Sequence, residues 1–305
     1  MRDDDRLGIL TGAVRQALQR DSLRVAAWRS GVDFWADMLF DGDAAIGVLR
    51  SPRHERLDTQ YDGVVDFGEV IEREVAALAE MADGGVPVPR VLAWRRAGDP
   101  GPVSWVLQTH IPHDEGATVP GAEFGRLTRR LHAITPDTPP LRPPRSWSDF
   151  VWSRLRQRLE AAGRYCPDLD LDLDLAALAR AAEVVRHRDS HARSLLHMDL
   201  RASNVCVRDG RIEAFIDTAN CLVGDPLMEL ARVRAYGLLD EAFVRGYGTD
   251  VDLDDQQTAR LLDIYELDAT ALLVVVAVEE IDDPQLFASQ RARTVTLAGS
   301  IVDAG

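Results

Sequence analysis

Two short apolar runs, Val205-Cys206-Val207 and Ile212 to Ile216, stand either side of Arg208-Asp209-Gly210. β-Branched residues around an Asp-Gly pair predict an antiparallel hairpin whose short turn fixes its register. Strand side chains alternate, so the register decides which polar residues meet at the open end. That end receives the loop His197-Met198-Asp199-Leu200-Arg201-Ala202-Ser203-Asn204 from one side and Asp217 from the other. Two carboxylates and an amide, Asp199, Asp217 and Asn204, are therefore predicted to converge.

The rest of the chain supplies a frame for that hairpin. Leu7, Ile9, Leu10, Val14 and Leu18 predict an amphipathic helix over 6–20. Strand-like runs at 23–28, 34–40 and 44–49 are separated by Ser30-Gly31 and Asp41-Gly42-Asp43, as in an antiparallel meander. Residues 70–81 place Val70, Ile71, Val75 and Leu78 on one helical face, and Gly84-Gly85 ends the helix. A run up to Trp94 and another at 105–109, with a turn over 98–102, add two strands. Helical patterns follow at 123–132, 175–187 and 254–305. A proline-rich connector covers 135–144, and the acidic alternation at 168–174 reads as a solvated loop or a helix start. The expected class is α+β: an N-terminal lobe, 1–111, with a five-stranded antiparallel sheet and a helix, and a larger, mainly α-helical C-terminal lobe, 112–305.

Several classes are disfavoured. The net charge of −15 repels nucleic-acid backbones and suits either a cationic ligand or plain solubility. All 35 basic residues other than histidine are arginine, so no lysine chemistry is available. Cys166, Cys206 and Cys221 form no paired motif and fit a reducing compartment. The acidic start Met1-Arg2-Asp3-Asp4-Asp5 lacks the pattern of a signal peptide, and the apolar run at 271–278 is short and ends in Glu279-Glu280. A cytoplasmic protein without a membrane or nucleic-acid partner is expected.

Phosphoryl transfer from ATP with Mg2+ requires a carboxylate to take a hydroxyl proton and oxygen ligands to hold the metal against the phosphates. The hairpin end offers both. The His-x-Asp-x-x-x-x-Asn loop and the later Ile216-Asp217 through Gly224-Asp225-Pro226, continuing as Leu227-Met228-Glu229, together resemble the aminoglycoside phosphotransferase and choline kinase superfamily. The resemblance implies a bilobal protein-kinase-like fold. It also implies that Asp199 is the catalytic base, that Asn204 and Asp217 bind magnesium, and that His197 and Asp225 orient the loop.

The remaining landmarks are sought upstream. Arg50, closing the third strand, stands where the family has lysine or arginine, and Glu74 on the next helix would anchor it over the ATP phosphates. Arginine keeps its charge and can grip phosphate oxygens with its fork; as a strand-end residue it also reads as a surface charge. Arg201 suits charge stabilisation on the transferred group or a plain loop ion pair. The chain around Gln108 to His110 would receive adenine on its backbone. No GxGxxG or GxxxxGK[ST] loop exists, and Ser30-Gly31 remains as a phosphate cover. His132 reads as structural.

By resemblance the acceptor is a small-molecule hydroxyl, from an aminoglycoside or other antibiotic, choline, a sugar or an amino alcohol. Two alternatives stay open: phosphorylation of Ser or Thr in a precursor peptide, with a partner protein, and a pseudokinase scaffold.

Overall fold

The computed structural model describes residues 3–98, 101–169, 178–179, 183–248, 253 and 255–303. Its first helix, α1 (Asp3–Leu18), lays Leu10 and Val14 on a sheet formed by β1 (Leu23–Ser30), β2 (Phe34–Asp41), β3 (Ala44–Pro52) and two later strands. A hairpin, β4 (Arg56–Thr59) and β5 (Gly63–Asp66), leads into α2 (Phe67–Asp83). Strands β6 (Val91–Arg95) and β7 (Trp105–Gln108) complete the sheet in the order β1-β2-β3-β7-β6, antiparallel throughout. The five strands and the two covering helices are those that the turn residues and apolar spacing predict.

Side-chain alternation divides the sheet between its helices. Leu49, Trp105 and Leu107 face α1, whereas Val106 joins Phe34, Phe67, Val70 and Ile71 on the α2 side. Arg50 follows Leu49 and pairs in register with Val106. It therefore lies within β3, on the α2 face, because the strand runs on to Pro52 and past the expected end at 49. Asp66 caps α2 by accepting the Glu69 N–H at 3.1 Å, and Gly85 leaves it with a φ of +72° that glycine adopts without strain.

The C-terminal part begins after the irregular stretch 109–120. It contains α3 (Gly121–His132), α4 (Trp147–Gly163), β8 (Ser194–Leu196), β9 (Val205–Arg208), β10 (Arg211–Phe215) and β11 (Leu222–Gly224), then α5 (Pro226–Ala235), α6 (Glu241–Tyr247), α7 (Gln256–Glu279) and α8 (Pro284–Asp303). β9 and β10 form the predicted hairpin, while β8 and β11 make a second antiparallel pair. One apolar cluster runs from α2 and α3 through the hairpin to α7 and α8. Most of the acidic alternation at 168–174 and much of the helical pattern at 175–187 lie outside the described residues.

The sequence reading did not anticipate the β4–β5 hairpin or α4. The hairpin bears an Asp62-Gly63 turn flanked by Leu57 and Val65, a recognisable signal. It ties the two halves together: Arg158 of α4 donates to Asp62 at 2.9 Å, and the Tyr61 hydroxyl donates to Glu280 beyond α7.

Helices α3 and α6 cross so closely that backbone takes the place of side chain. A methyl group at Gly125 would collide with the Phe243 carbonyl and stand 2.7 Å from the Tyr247 nitrogen. Gly125→Ala is therefore expected to destabilise the fold by about 3 kcal/mol through overpacking, read as a lower urea midpoint.

Candidate functional site

The hairpin end assembles as predicted. Ile216 donates its N–H to the Asn204 carbonyl at 2.9 Å, which extends the β9–β10 ladder and brings Asp217 beside the loop. Asn204 turns its Nδ2 back on the loop and donates to the Asp199 carbonyl at 2.9 Å and to Asp199 Oδ2 at 2.7 Å. Arg201 Nε stands 3.3 Å from the same oxygen, on a half-exposed side chain.

His197 is buried and acts on backbone. Its Nε2 lies 3.0 Å from the Ile216 carbonyl, and its Nδ1 accepts the Asp199 N–H at 3.3 Å. Both bonds are satisfied by the neutral ring with its proton on Nε2. Met198, between them, adopts a φ of +67°, and Asp217 one of +63°. Left-handed backbone costs a residue with a side chain about 1–2 kcal/mol, so something must hold it.

For Met198 that something is Glu229. Its carboxylate accepts the His197 N–H and, at 2.9 and 3.1 Å, the Met198 N–H. It is fully buried on α5, and burial raises its pKa against the pull of these bonds. Asp225 caps α5 through the Leu227 N–H at 3.2 Å and accepts two bonds from Arg188, at 2.7 and 2.9 Å, and one from Tyr265 at 3.0 Å. It thus orients the helix that carries Glu229. Tyr236, just past α5, donates to Asp199 Oδ1 at 2.8 Å. Glu229 and Tyr236 took no role in the sequence reading. Their signal was spacing, since Glu229, Arg232 and Tyr236 fall on one helical face.

The upstream residues converge on the same place. Arg50 donates to Glu74 and, at 2.6 Å, to Asp217 Oδ1. Its guanidinium lies 4.7 Å from the centre of the Phe34 ring. Burial opposes Arg50's charge, yet Glu74 and Asp217 hold its pKa above the ordinary value. Asp217 is held below the usual carboxylate range: burial would raise it, and the charges of Arg50 and then Arg201 outweigh that. Glu74 itself has no solvent exposure.

Gln108 joins this group through its side chain, donating to Glu74 at 2.7 Å. Alternation explains it, because Gln108 shares the α2 face with Val106. Thr109 spends its N–H on the Arg90 carbonyl, and His110 stacks edge-on against Trp28 with centroids 5.8 Å apart. Burial, and then the charges of His113 and Arg29, lower the His110 pKa. Ser30 is exposed at the end of β1 and takes part in none of these contacts.

The donor set suits a hard cation. Among the described residues neither Asn204 Oδ1 nor Asp217 Oδ2 accepts a hydrogen bond, so two oxygens remain for a metal that also takes phosphate oxygens and water. No cluster of three or more His, Cys, Asp or Glu side chains offers an alternative metal site among those residues.

A sheet-and-helix N-terminal part, a helical C-terminal part and this polar hairpin end define a kinase-like phosphotransferase. Residues 57–262 match the phosphotransferase enzyme family named APH, and the chain belongs to it. Among solved structures it is similar to proteins assigned as fructosamine-3-kinases from Haemophilus somnus 129PT (TM-score 0.69, 15% identity, 96% of this chain and 97% of that one) and Thermobifida fusca YX-ER1 (0.68, 16%, 96% and 98%). It is also similar to a thermostable mutant of aminoglycoside phosphotransferase APH(4)-Ia in ternary complex with AMP-PNP and hygromycin B (0.62, 16%, 97% and 98%). No curated protein sequence matches the chain significantly. Among the described residues no helix is long and apolar enough to cross a membrane.

His132 is structural, as expected: it is buried, with Nδ1 2.8 Å from the Tyr247 hydroxyl. Burial draws its pKa from 6.5 down to about 3. Below pH 6.5 the unfolded chain takes up a proton that the folded one refuses, so stability falls as the pH drops. The expected slope is up to about 1.4 kcal/mol per pH unit, and it flattens in His132→Gln when urea unfolding is compared between pH 7 and pH 4.

Proposed function

We propose that the chain transfers the γ-phosphate of ATP to a hydroxyl group of a small molecule. The observation that carries this reading is the convergence of Arg50, Glu74, Asn204, Asp199 and Asp217 from separate elements onto one hairpin end. Residues 1–111 serve as the nucleotide lobe and 112–305 as the catalytic and acceptor lobe.

Asp199 is the base. It accepts the hydroxyl proton as the acceptor oxygen bonds to the γ-phosphorus and the bond from that phosphorus to the ADP oxygen breaks. A carboxylate has about four lone-pair directions, so its bonds to Asn204, Arg201 and Tyr236 leave room for the acceptor. Asn204 Oδ1 and Asp217 would hold Mg2+, which would supply neutralisation of the phosphate charge. Arg50 grips phosphate oxygens and is kept in place by Glu74, itself braced by Gln108. Arg201 stabilises charge on the transferred group. His197, Glu229 and Asp225 are positioning residues, and Ser30 and the His110 region border the nucleotide. Three buried free thiols fit a cytoplasmic setting.

The acceptor is a metabolite or natural-product hydroxyl, with aminoglycosides and sugar amines the first to test because solved relatives carry those names. With ATP and magnesium, turnover should be seen with at least one member of a panel of aminoglycosides, other antibiotics, amino alcohols, sugars and hydroxy acids. Asp199→Ala is expected to lower that turnover by a factor of about 1,000 or more. Nucleotide binding that is absent in the wild type, by calorimetry with AMP-PNP, would reject the reading.

Arg50 gives a separate expectation. Arg50→Met should lose most nucleotide affinity, whereas Arg50→Lys keeps a charge that reaches phosphate and should retain measurable turnover. Equal AMP-PNP affinity in wild type and Arg50→Met would remove Arg50 from the phosphates.

A further inference from the structure

A second buried charge cluster adjoins Asp199, and phosphoryl transfer makes no use of it. Arg154 and Arg158 come from α4, Arg232 from α5, Asp268 from α7, and Asp62 from the turn of the β4–β5 hairpin. Arg158 donates to Asp268 Oδ2 and to Asp62 Oδ1, each at 2.9 Å. The same Asp268 oxygen has Arg154 Nε at 3.4 Å and Arg232 Nη1 at 3.6 Å. Three guanidinium groups thus share two carboxylates, with Asp199 and Glu229 as further negative charges acting on Arg232.

Arg232 is the unusual member. Only 5% of it is exposed, yet no nitrogen of its guanidinium donates a hydrogen bond among the described residues, and Nε and Nη1 are buried without a partner. Arg154 Nε is also buried without one. Burial and the neighbouring charge of Arg158 draw the Arg154 pKa down to about 10. Against burial, Tyr236, Asp268, Asp199 and Glu229 hold the Arg232 pKa above its ordinary value, yet none of them accepts a hydrogen bond from it, and donors stripped of water and left unused are costly. An arginine fork carries five donors matched to the oxygens of a carboxylate or phosphate.

The position of the cluster indicates which molecule brings those oxygens. One helical turn beyond Arg232, Tyr236 donates to Asp199 Oδ1, and Arg232 interacts electrostatically with both residues. Arg50, assigned to the nucleotide, is engaged with Glu74 and Asp217 and takes no part in the cluster.

We propose that Arg232 and Arg154 form an oxyanion subsite that holds a carboxylate or phosphate group of the acceptor, whose hydroxyl lies at Asp199. The acceptor is then a hydroxy acid or a phosphorylated alcohol. An amino group elsewhere on the molecule is compatible with this subsite, which ranks acceptors bearing a carboxylate or phosphate ahead of the purely cationic aminoglycosides in the panel above. The inference rests on the phosphotransfer reading for the word acceptor, but the anion site stands on its own contacts.

The experiment uses the full chain saturated with AMP-PNP and magnesium, which fills the phosphate positions of the nucleotide site. Inorganic phosphate and malonate are then titrated by calorimetry, and their comparison separates phosphate from carboxylate chemistry. Saturable binding of at least one probe is expected, weakened tenfold or more in Arg232→Met and retained in part by Arg232→Lys, with AMP-PNP affinity unchanged. If Arg232→Met melts early, Arg154→Met takes its place with the same expected loss. Absence of saturable binding to the wild type, or equal binding in the methionine variant, overturns the subsite. Failure of AMP-PNP to bind counts against the nucleotide reading instead; the same phosphate titration is then made in Arg50→Met, where binding sensitive to Arg232→Met still decides the question.

Discussion

The ion pair network of Arg50 is the constraint on which the site depends. One guanidinium joins a sheet strand, a covering helix and the end of the β9–β10 hairpin, because it donates to Glu74 and Asp217 together. Buried charges are tolerated only when paired and hydrogen-bonded, so each member fixes the others: Gln108 completes Glu74, and Phe34 lies beside the guanidinium. A two-residue period in β3 and β7 puts Arg50 and Gln108 on the α2 face, while Leu49 and Leu107 fill the α1 face. The same alternation that builds the core therefore aims the cation.

A second network holds the backbone of the loop. Met198 in the left-handed region would be unfavourable alone, and the buried Glu229 carboxylate compensates by accepting its N–H and that of His197. Asp225 caps and anchors the helix that delivers Glu229, with Arg188 and Tyr265 satisfying its carboxylate. Asp199 is thus positioned from two directions, by Asn204 within the loop and by Tyr236 beyond the helix. The resulting rigidity suits a reaction in which positioning and electrostatics do most of the work.

The five-stranded sheet, α2 and the β9–β10 hairpin were legible because each is written in local signals: alternation, turn residues and a helical apolar face. The residues Asp199, Asn204 and Asp217 were legible for the same reason, since a short hairpin turn converts sequence spacing into proximity. Helix α4 was harder to see. Its apolar face is interrupted by Arg154 and Arg158, which become interior residues only because Asp268 of α7 and Asp62 of a distant hairpin meet them. Tyr236 carried only its helical spacing from Glu229 and Arg232, which does not reveal a contact with Asp199 that spans 37 residues.

The sequence by itself determined the phosphotransferase family, the α+β order of elements and the polar residues of the hairpin end, because motif spacing and side-chain period are local properties of a chain. Tertiary structure decided what surrounds them: Arg50 between two carboxylates, Gln108 turned to Glu74, Glu229 beneath the loop, and three arginines gathered around Asp268. These depend on how far one element slides and rotates against another, and burial sets whether a charge there is paired, shifted or left with unused donors. Spacing along the chain carries no measure of that.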